Sequence, residues 1–347
     1  MEPLDDAKFS GTKEVAEHLT IEVSNLQPWI DEFVPGAGKI KSVEQFKGGQ
    51  SNPTYKIVTE SKNLVLRRKP PGKLLPSAHA VDREYKVITA LYETDVPVPK
   101  TYGLCEDDEI AGTAFFVMDF LDGDLFWNPM IPSLSNQDRT EIYQNKNKTL
   151  ALLHGVDYKK IGLEDYGKPG NYVARQVARW SKQYRASETD DIEAMNNLID
   201  WLPKNIPDDD ETSIVHGDYR LDNMILKNNQ VIGILDWELS TLGHPIADFS
   251  YHCLSWRTQE AFWDQAKLKE LGVPSEKEYM DMYCENTGKD LSKNWEYYMA
   301  FNMFKIAGIL QGILGRVRDG TASSKHAEDR GMMVYPLSEA AWNTIKE

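Results

Sequence analysis

The chain has 347 residues, 41% hydrophobic and 27% charged, which is long enough for two cores, because single cores stop growing near roughly 250–300 residues. Its net charge of -15, with Arg67-Arg68-Lys69 as the one compact basic cluster, argues against nucleic acid or an anionic membrane as partner. Apolar runs such as Ala114 to Met118 fall short of the ~20 residues of a membrane span, the acidic start lacks a leader pattern, and Cys105, Cys253 and Cys284 are too few and too scattered for a disulfide framework or a structural zinc site, so a cytoplasmic location is expected.

From Phe9 to Phe33 the apolar spacing predicts one or two short helices, ended by the Pro35-Gly36-Ala37-Gly38 turn. Residues 1–38 are accordingly expected to be a helical lead-in. Strands follow at 40–46, 54–59 and 63–68, the first two joined across the Gly-rich turn Gly48-Gly49-Gln50-Ser51-Asn52. Pro70-Pro71-Gly72 ends this run. Val81, Tyr85, Ile88 and Tyr92 then recur at helical spacing over 80–92. Strands are predicted at 101–105 and 113–120, with Glu106-Asp107-Asp108-Glu109 as an exposed acidic loop between them. Beyond Gly123 the pattern turns helical, over 138–156, 172–186 and 192–202, and again from Asp248 to the C-terminus. The fold class expected is α+β: a small antiparallel sheet lobe with one main helix over 39–121, then a larger, mainly helical lobe over 122–347.

The chemistry concentrates where short strands interrupt the helices. His216-Gly217-Asp218-Tyr219-Arg220-Leu221-Asp222-Asn223 is followed by the apolar run Val231 to Leu235, which ends in Asp236. Two carboxylates and an amide on a tight loop and a neighbouring strand end can orient a hydroxyl and hold Mg²⁺ against phosphate oxygens. Asp218 is the candidate base, and Asn223 and Asp236 are the candidate metal ligands. His216 is assigned to holding the loop through a backbone hydrogen bond, and Asp222 to a turn cap or the metal. Gly38-Lys39 does not make a P-loop, since Phe33 stands where its first glycine is needed and Ile40 where Ser or Thr belongs.

Over residues 40 to 320 these motifs resemble the aminoglycoside phosphotransferase and choline kinase superfamily, relatives of the protein kinases. The resemblance implies a two-lobed protein-kinase-like fold that uses ATP and Mg²⁺. It also implies nucleotide contacts from Gly48, Gly49, Gln50, Ser51 and Asn52, and a phosphate-binding Arg67 where kinases carry lysine. Glu84 would be the ion-pair partner of Arg67, and Asp119, Phe120 and Leu121 the adenine-reading hinge. A rival metallohydrolase would gather His244, Asp248, His216, Asp218 and Asp236 around zinc or paired metals, but leaves Arg67, Glu84 and the Gly-rich turn idle. By the same resemblance, Asp248 ties the catalytic region to the helical lobe.

Longer stretches, Arg68-Lys69-Pro70-Pro71-Gly72-Lys73-Leu74-Leu75-Pro76 and Trp237-Glu238-Leu239-Ser240-Thr241-Leu242-Gly243 among them, resemble the phosphotransferase-like domains fused to some acyl-CoA dehydrogenases, and their free-standing bacterial relatives. That likeness implies a small-molecule hydroxyl acceptor of the hydroxyacyl-CoA kind. The acidity of the chain instead suits a polycationic aminoglycoside, and a choline-type alcohol or a nucleotide-binding protein without turnover are further alternatives. Trp256, Trp263, Tyr279, Tyr283, Trp295, Tyr297 and Tyr298 are expected in the core rather than in an acceptor pocket. Arg175, Arg179 and Lys182, on neighbouring turns of one helix, could meet an anionic acceptor such as a CoA phosphate, but a solvated helix face is the expectation.

Overall fold

The computed structural model describes residues 10–48, 52–72, 79–322, 324 and 326–346. Among these residues one six-stranded antiparallel sheet forms from β1 (Thr12–Lys13), β2 (Ile40–Phe46), β3 (Thr54–Thr59), β4 (Asn63–Arg68), β5 (Thr101–Cys105) and β6 (Phe115–Asp119), in the spatial order β1-β2-β3-β4-β6-β5. Alternation sets the faces of β3, whose Tyr55, Ile57 and Thr59 are buried while their neighbours are half-buried. Its neighbour β4 is buried from Leu64 to Arg68, as expected of a central strand covered on both sides.

Helix α1 (Val23–Phe33) covers one face, with Leu26, Trp29 and Ile30 against Tyr55, Leu64, Leu66, Phe115 and Val117. The Trp29 ring stacks on Phe33 at 4.7 Å and meets Phe115 edge-on at 5.1 Å. On the opposite face Val65, Phe116 and Met118 join α2 (Val81–Leu91) and run without a break into the core of the helical part. The sheet therefore sits between a local core and the main one. That main core is built from α3 (Asn136–Gly155), α4 (Tyr172–Ala186), α5 (Glu193–Trp201), α6 (Pro245–Cys253), α7 (Glu276–Thr287), α8 (Trp295–Arg318) and α9 (Val334–Thr344), with shorter helices between them.

Two two-stranded sheets interrupt the helices. β8 (Met224–Lys227) pairs with β9 (Gln230–Ile234), and β7 (Ser213–Val215) pairs with β10 (Thr241–Gly243). The chain passes from the large sheet to the helices at Asp119 to Asp124, where Asp124 and Leu226 exchange both backbone hydrogen bonds, at 2.7 and 2.8 Å. Gly123 is required at this crossing, because a Cβ there would lie 2.4 Å from the Leu226 carbonyl oxygen.

Three expectations change. The segment before α1 supplies the edge strand β1 as well as helix, pairing Thr12 with Phe46. The strand expected over 113–120 is shorter, 115–119. The acidic stretch 106–109 is not all loop: Asp107 accepts a hydrogen bond from the Glu109 amide at 3.0 Å and caps one helical turn, Asp108–Ala111, which ends at Gly112 with φ 80°. Carboxylates in a first turn favour that choice, since they face the positive end of the helix dipole.

Because Trp29 is one of the three buried residues that pin α1 to the sheet and the largest of them, a Trp29→Ala substitution is expected to destabilise the protein by about 3–5 kcal/mol, read from urea unfolding followed by far-UV circular dichroism.

Candidate active site

Between the large sheet and the β8–β9 hairpin lies a cavity of about 770 Å³. Its apolar walls include Val65, Ile88, Phe116 and Met118 from the sheet side and Ile225 and Ile234 from the hairpin, the composition of a small-molecule cleft. Of the candidates from sequence, Gly48, Arg67, Glu84, Asp119, Phe120, Leu121, Asp218, Asn223 and Asp236 all line it. Gly49, Gln50 and Ser51 lie outside the described residues.

Asn52 stands one layer behind the cavity. Fully buried, it donates from Nδ2 to Glu84 Oε1 at 2.9 Å, while its Oδ1 lies 3.0 Å from His79 Nδ1. Its work is to fix Glu84. That carboxylate in turn meets Arg67 Nε at 2.9 Å, and Arg67 Nη2 reaches Asp236 Oδ1 at 2.6 Å. A guanidinium spans both partners where a lysine ammonium would be a single point charge. Burial, only partly opposed by the adjacent Arg67, leaves the Glu84 carboxyl raised to about 7, while Glu84 and Asp236 hold Arg67 in the charged form against burial.

The loop after β7 is shaped by a buried carboxylate. Asp248, on α6, accepts the His216 and Gly217 amides at 2.9 Å each, and His154 Nε2 lies 3.2 Å from it. Burial alone would raise its carboxyl; the hydrogen bond and charge of His154, with the His216 backbone, bring it below the usual carboxylate range. Gly217 adopts φ 82°, and a Cβ there would lie 2.8 Å from the Leu239 carbonyl oxygen. His216 is fully buried; its Nδ1 accepts from the Asp218 amide at 3.2 Å, so Nε2 carries the proton and donates to the Leu235 carbonyl at 2.9 Å. This neutral tautomer ties the loop to the end of β9.

Asn223 closes the arrangement. Its Nδ2 donates to the Asp218 carbonyl at 2.9 Å and to Asp218 Oδ2 at 3.1 Å, and its own carbonyl accepts the Leu235 amide at 2.8 Å. Among the described residues no donor engages Asn223 Oδ1 or Asp236 Oδ2. Two uncommitted oxygens of a hard, oxygen-only set thus sit on neighbouring segments, a donor set that fits Mg²⁺. Asp236 holds its place in the left-handed region, φ 62° and ψ 64°.

Sequence reasoning did not single out Arg220, which pairs with Asp222, lies with its Nε 3.6 Å from Asp218 Oδ1 and lines the same cavity. Its place two residues after Asp218 was the available signal. Phe46, stacked with Phe120 at 6.4 Å, was also missed. The rival metal site does not assemble: Asp248 and His216 are spent on backbone groups, and His244 Nε2 lies 2.6 Å from the Asp209 carbonyl oxygen. Among the described residues no group of three or more His, Cys, Asp or Glu side chains is disposed to hold a metal.

Residues 42–283 match the model of the phosphotransferase enzyme family. This chain belongs to that family. Its fold is protein-kinase-like. The chain is 40% identical over 340 residues to acyl-CoA dehydrogenase family member 11 of Rattus norvegicus, covering 94% of this chain and 44% of that protein. With family member 10 of Mus musculus it shares 45% identity over 306 residues, 86% of this chain and 29% of the relative. The chain thus spans less than half the length of these relatives. A solved structure from Ralstonia eutropha, provisionally assigned as an aminoglycoside phosphotransferase, superimposes with a TM-score of 0.86 at 48% identity, covering 94% of this chain and 99% of that one. An ethanolamine kinase of Plasmodium vivax shares the fold alone, with a TM-score of 0.59 at 16% identity over 92% of this chain and 87% of that one.

The lowered Asp248 carboxyl carries a pH consequence. A carboxylate held below its unfolded value of about 3.9 contributes stability that is fully present above that pH and is lost as the pH falls through the folded value. Asp248→Asn is expected to lower stability at pH 7 by about 3 kcal/mol and to flatten the acid limb below about pH 4, read from urea midpoints across pH.

Proposed function

We propose that the protein is a Mg²⁺-dependent ATP phosphotransferase that moves the γ-phosphoryl group to the hydroxyl of a small molecule. The observation carrying this reading is the convergence of Arg67, Asp218, Asn223 and Asp236 on one cavity, with oxygens of Asn223 and Asp236 left uncommitted. Asn223 and Asp236 would hold the metal, which when bound neutralises charge on the phosphates. In this reading residues 39–121 form the nucleotide-binding lobe and 122–347 the catalytic and acceptor lobe. Gly48 and the turn beyond it cover the phosphates, and Asp119, Phe120 and Leu121 meet the adenine.

Asp218 takes the role of orienting the acceptor hydroxyl and receiving its proton. The Asn223 amide, bonded to Oδ2, fixes the direction of that carboxylate, and the neutral His216 fixes the backbone beneath it. Arg67 brings positive charge to the phosphates. Its Nη1 makes only a 3.4 Å contact, with Thr54 Oγ1, so donor capacity remains for a phosphate oxygen.

For the acceptor we propose a hydroxyacyl-CoA. The support is the extended similarity to relatives that bear acyl-CoA dehydrogenase names, over 86–97% of this chain for the mammalian members. An aminoglycoside is the second reading, favoured by the net charge of -15.

ATP with Mg²⁺ is expected to raise the melting temperature by several degrees, and the absence of any shift at saturating nucleotide would refute nucleotide use. Asp218→Asn is expected to lower kcat for ADP release by about 10²–10⁴-fold while leaving that melting shift intact, in keeping with loss of a general base.

A further inference from the structure

Outside the lining of the cavity, the helices α4 and α8 carry two cations, Arg179 and Lys305, with no carboxylate at ion-pair distance among the described residues. Lys305 sits mid-way along α8 within the run Phe301-Asn302-Met303-Phe304-Lys305-Ile306, most of which is buried core. Its ammonium lies 4.5 Å over the ring of Tyr251 on α6. Among the described residues it makes no hydrogen bond and no ion pair within 4 Å. Arg179, on α4, is exposed and likewise has no carboxylate partner; its guanidinium rests on the Trp180 ring at 5.5 Å. The two helices are in contact, Gly308 of α8 lying against Trp180 of α4.

The neighbours of this pair identify its position. Burial draws the Lys305 ammonium down, the carboxylates of Asp248 and Asp218 pull it back up, and the like charge of Arg179 pushes it down again. Tyr251 looks toward the same place: burial and then the Asp218 carboxylate push its hydroxyl up to about 12, with Arg220 opposing. Asp248 is already committed to two amides and His154, and Asp218 to Asn223. Neither is free to neutralise two more cations. Arg175, one turn before Arg179, is spent on the Gly170 and Lys168 carbonyls and is not part of the pair. A half-buried ammonium without an ion-pair partner carries a desolvation cost that an arriving anion would offset.

We propose that Lys305 and Arg179 form the acceptor-side anion receptor, selecting hydroxyl compounds that carry an oxyanion and seating that group so the hydroxyl meets Asp218. Tyr251 supports the ammonium from below. The inference rests on the phosphotransferase reading and adds the residues that discriminate among acceptors. The oxyanion is either the carboxylate of a free hydroxy acid or a phosphate of a CoA thioester. A polycationic acceptor is disfavoured by the same two charges.

The test is calorimetric binding in the presence of AMP-PNP and Mg²⁺, with 3-hydroxybutyrate, 3-hydroxybutyryl-CoA and the uncharged methyl 3-hydroxybutyrate as probes. Wild-type protein is expected to bind at least one of the two anions and to bind the methyl ester at least tenfold more weakly. Preference for the acid identifies a carboxylate site, and preference for the thioester a phosphate site. Lys305→Met and Arg179→Gln are each expected to weaken that anion about tenfold or more with AMP-PNP affinity unchanged. Arg179 is exposed, so its variant keeps the test open if loss of Lys305 impairs folding. Binding of neither anion by wild type, equal binding of the methyl ester, or unchanged affinity in the two variants overturns the inference, while the AMP-PNP titration and the Asp218→Asn assay judge the phosphotransferase reading independently. Loss of AMP-PNP binding in Lys305→Met would also overturn it, by assigning that lysine to the nucleotide site.

Discussion

The chain of hydrogen bond and ion pairs Asn52–Glu84–Arg67–Asp236 is the constraint on which the site depends. It joins a turn, the helix α2, the central strand β4 and the end of β9, so residues 67 and 236, 169 positions apart in sequence, are fixed at 2.6 Å. Glu84 is almost fully buried, which makes its pairing obligatory: an unpartnered carboxylate at that depth would neutralise or unfold its surroundings. Asp236 is the more open end, with 30% of its side chain exposed, and there the chain meets the cavity. Charge is thus anchored in the interior and presented at the cleft.

A second buried carboxylate does the equivalent work in the helical part. Asp248 organises amides instead of a guanidinium, and by receiving the His216 and Gly217 N–H groups it dictates where Asp218 emerges. The two systems meet where the His216 imidazole bonds the Leu235 carbonyl, one residue before Asp236. The Asp218 loop and the proposed metal ligand are therefore held by a single connected network.

Much of this was legible in the sequence because the pattern is locally consistent. The alternation in Thr54 to Thr59 and the compact run Asn63 to Arg68 give strands with the observed bounds, and the His216 to Asn223 motif marks a loop that lines the cavity. The aromatic residues of the C-terminal part are core as expected, Tyr279, Tyr283 and Tyr298 being fully buried, although Trp263 is 60% exposed. What stayed hidden depends on long-range partners. β1 has two residues and no period to detect. Asn52 reads as a nucleotide contact in the Gly-rich turn until Glu84, 32 residues later, is seen to bond it. Lys305 did leave a trace, a lone cation inside an apolar helical run, but composition could not say which groups surround it.

The left-handed backbone at Asp236 has an implication for how that position can be probed. With φ 62° and ψ 64° the main chain itself aims the carboxylate, in a region that bulky or β-branched residues enter at a cost and that Asn and Gly tolerate. An isosteric amide would therefore keep the shape and remove only the charge, whereas a longer acid would keep the charge and lose the aim. Geometry and electrostatics, usually entangled in one side chain, are separable here by the choice of replacement.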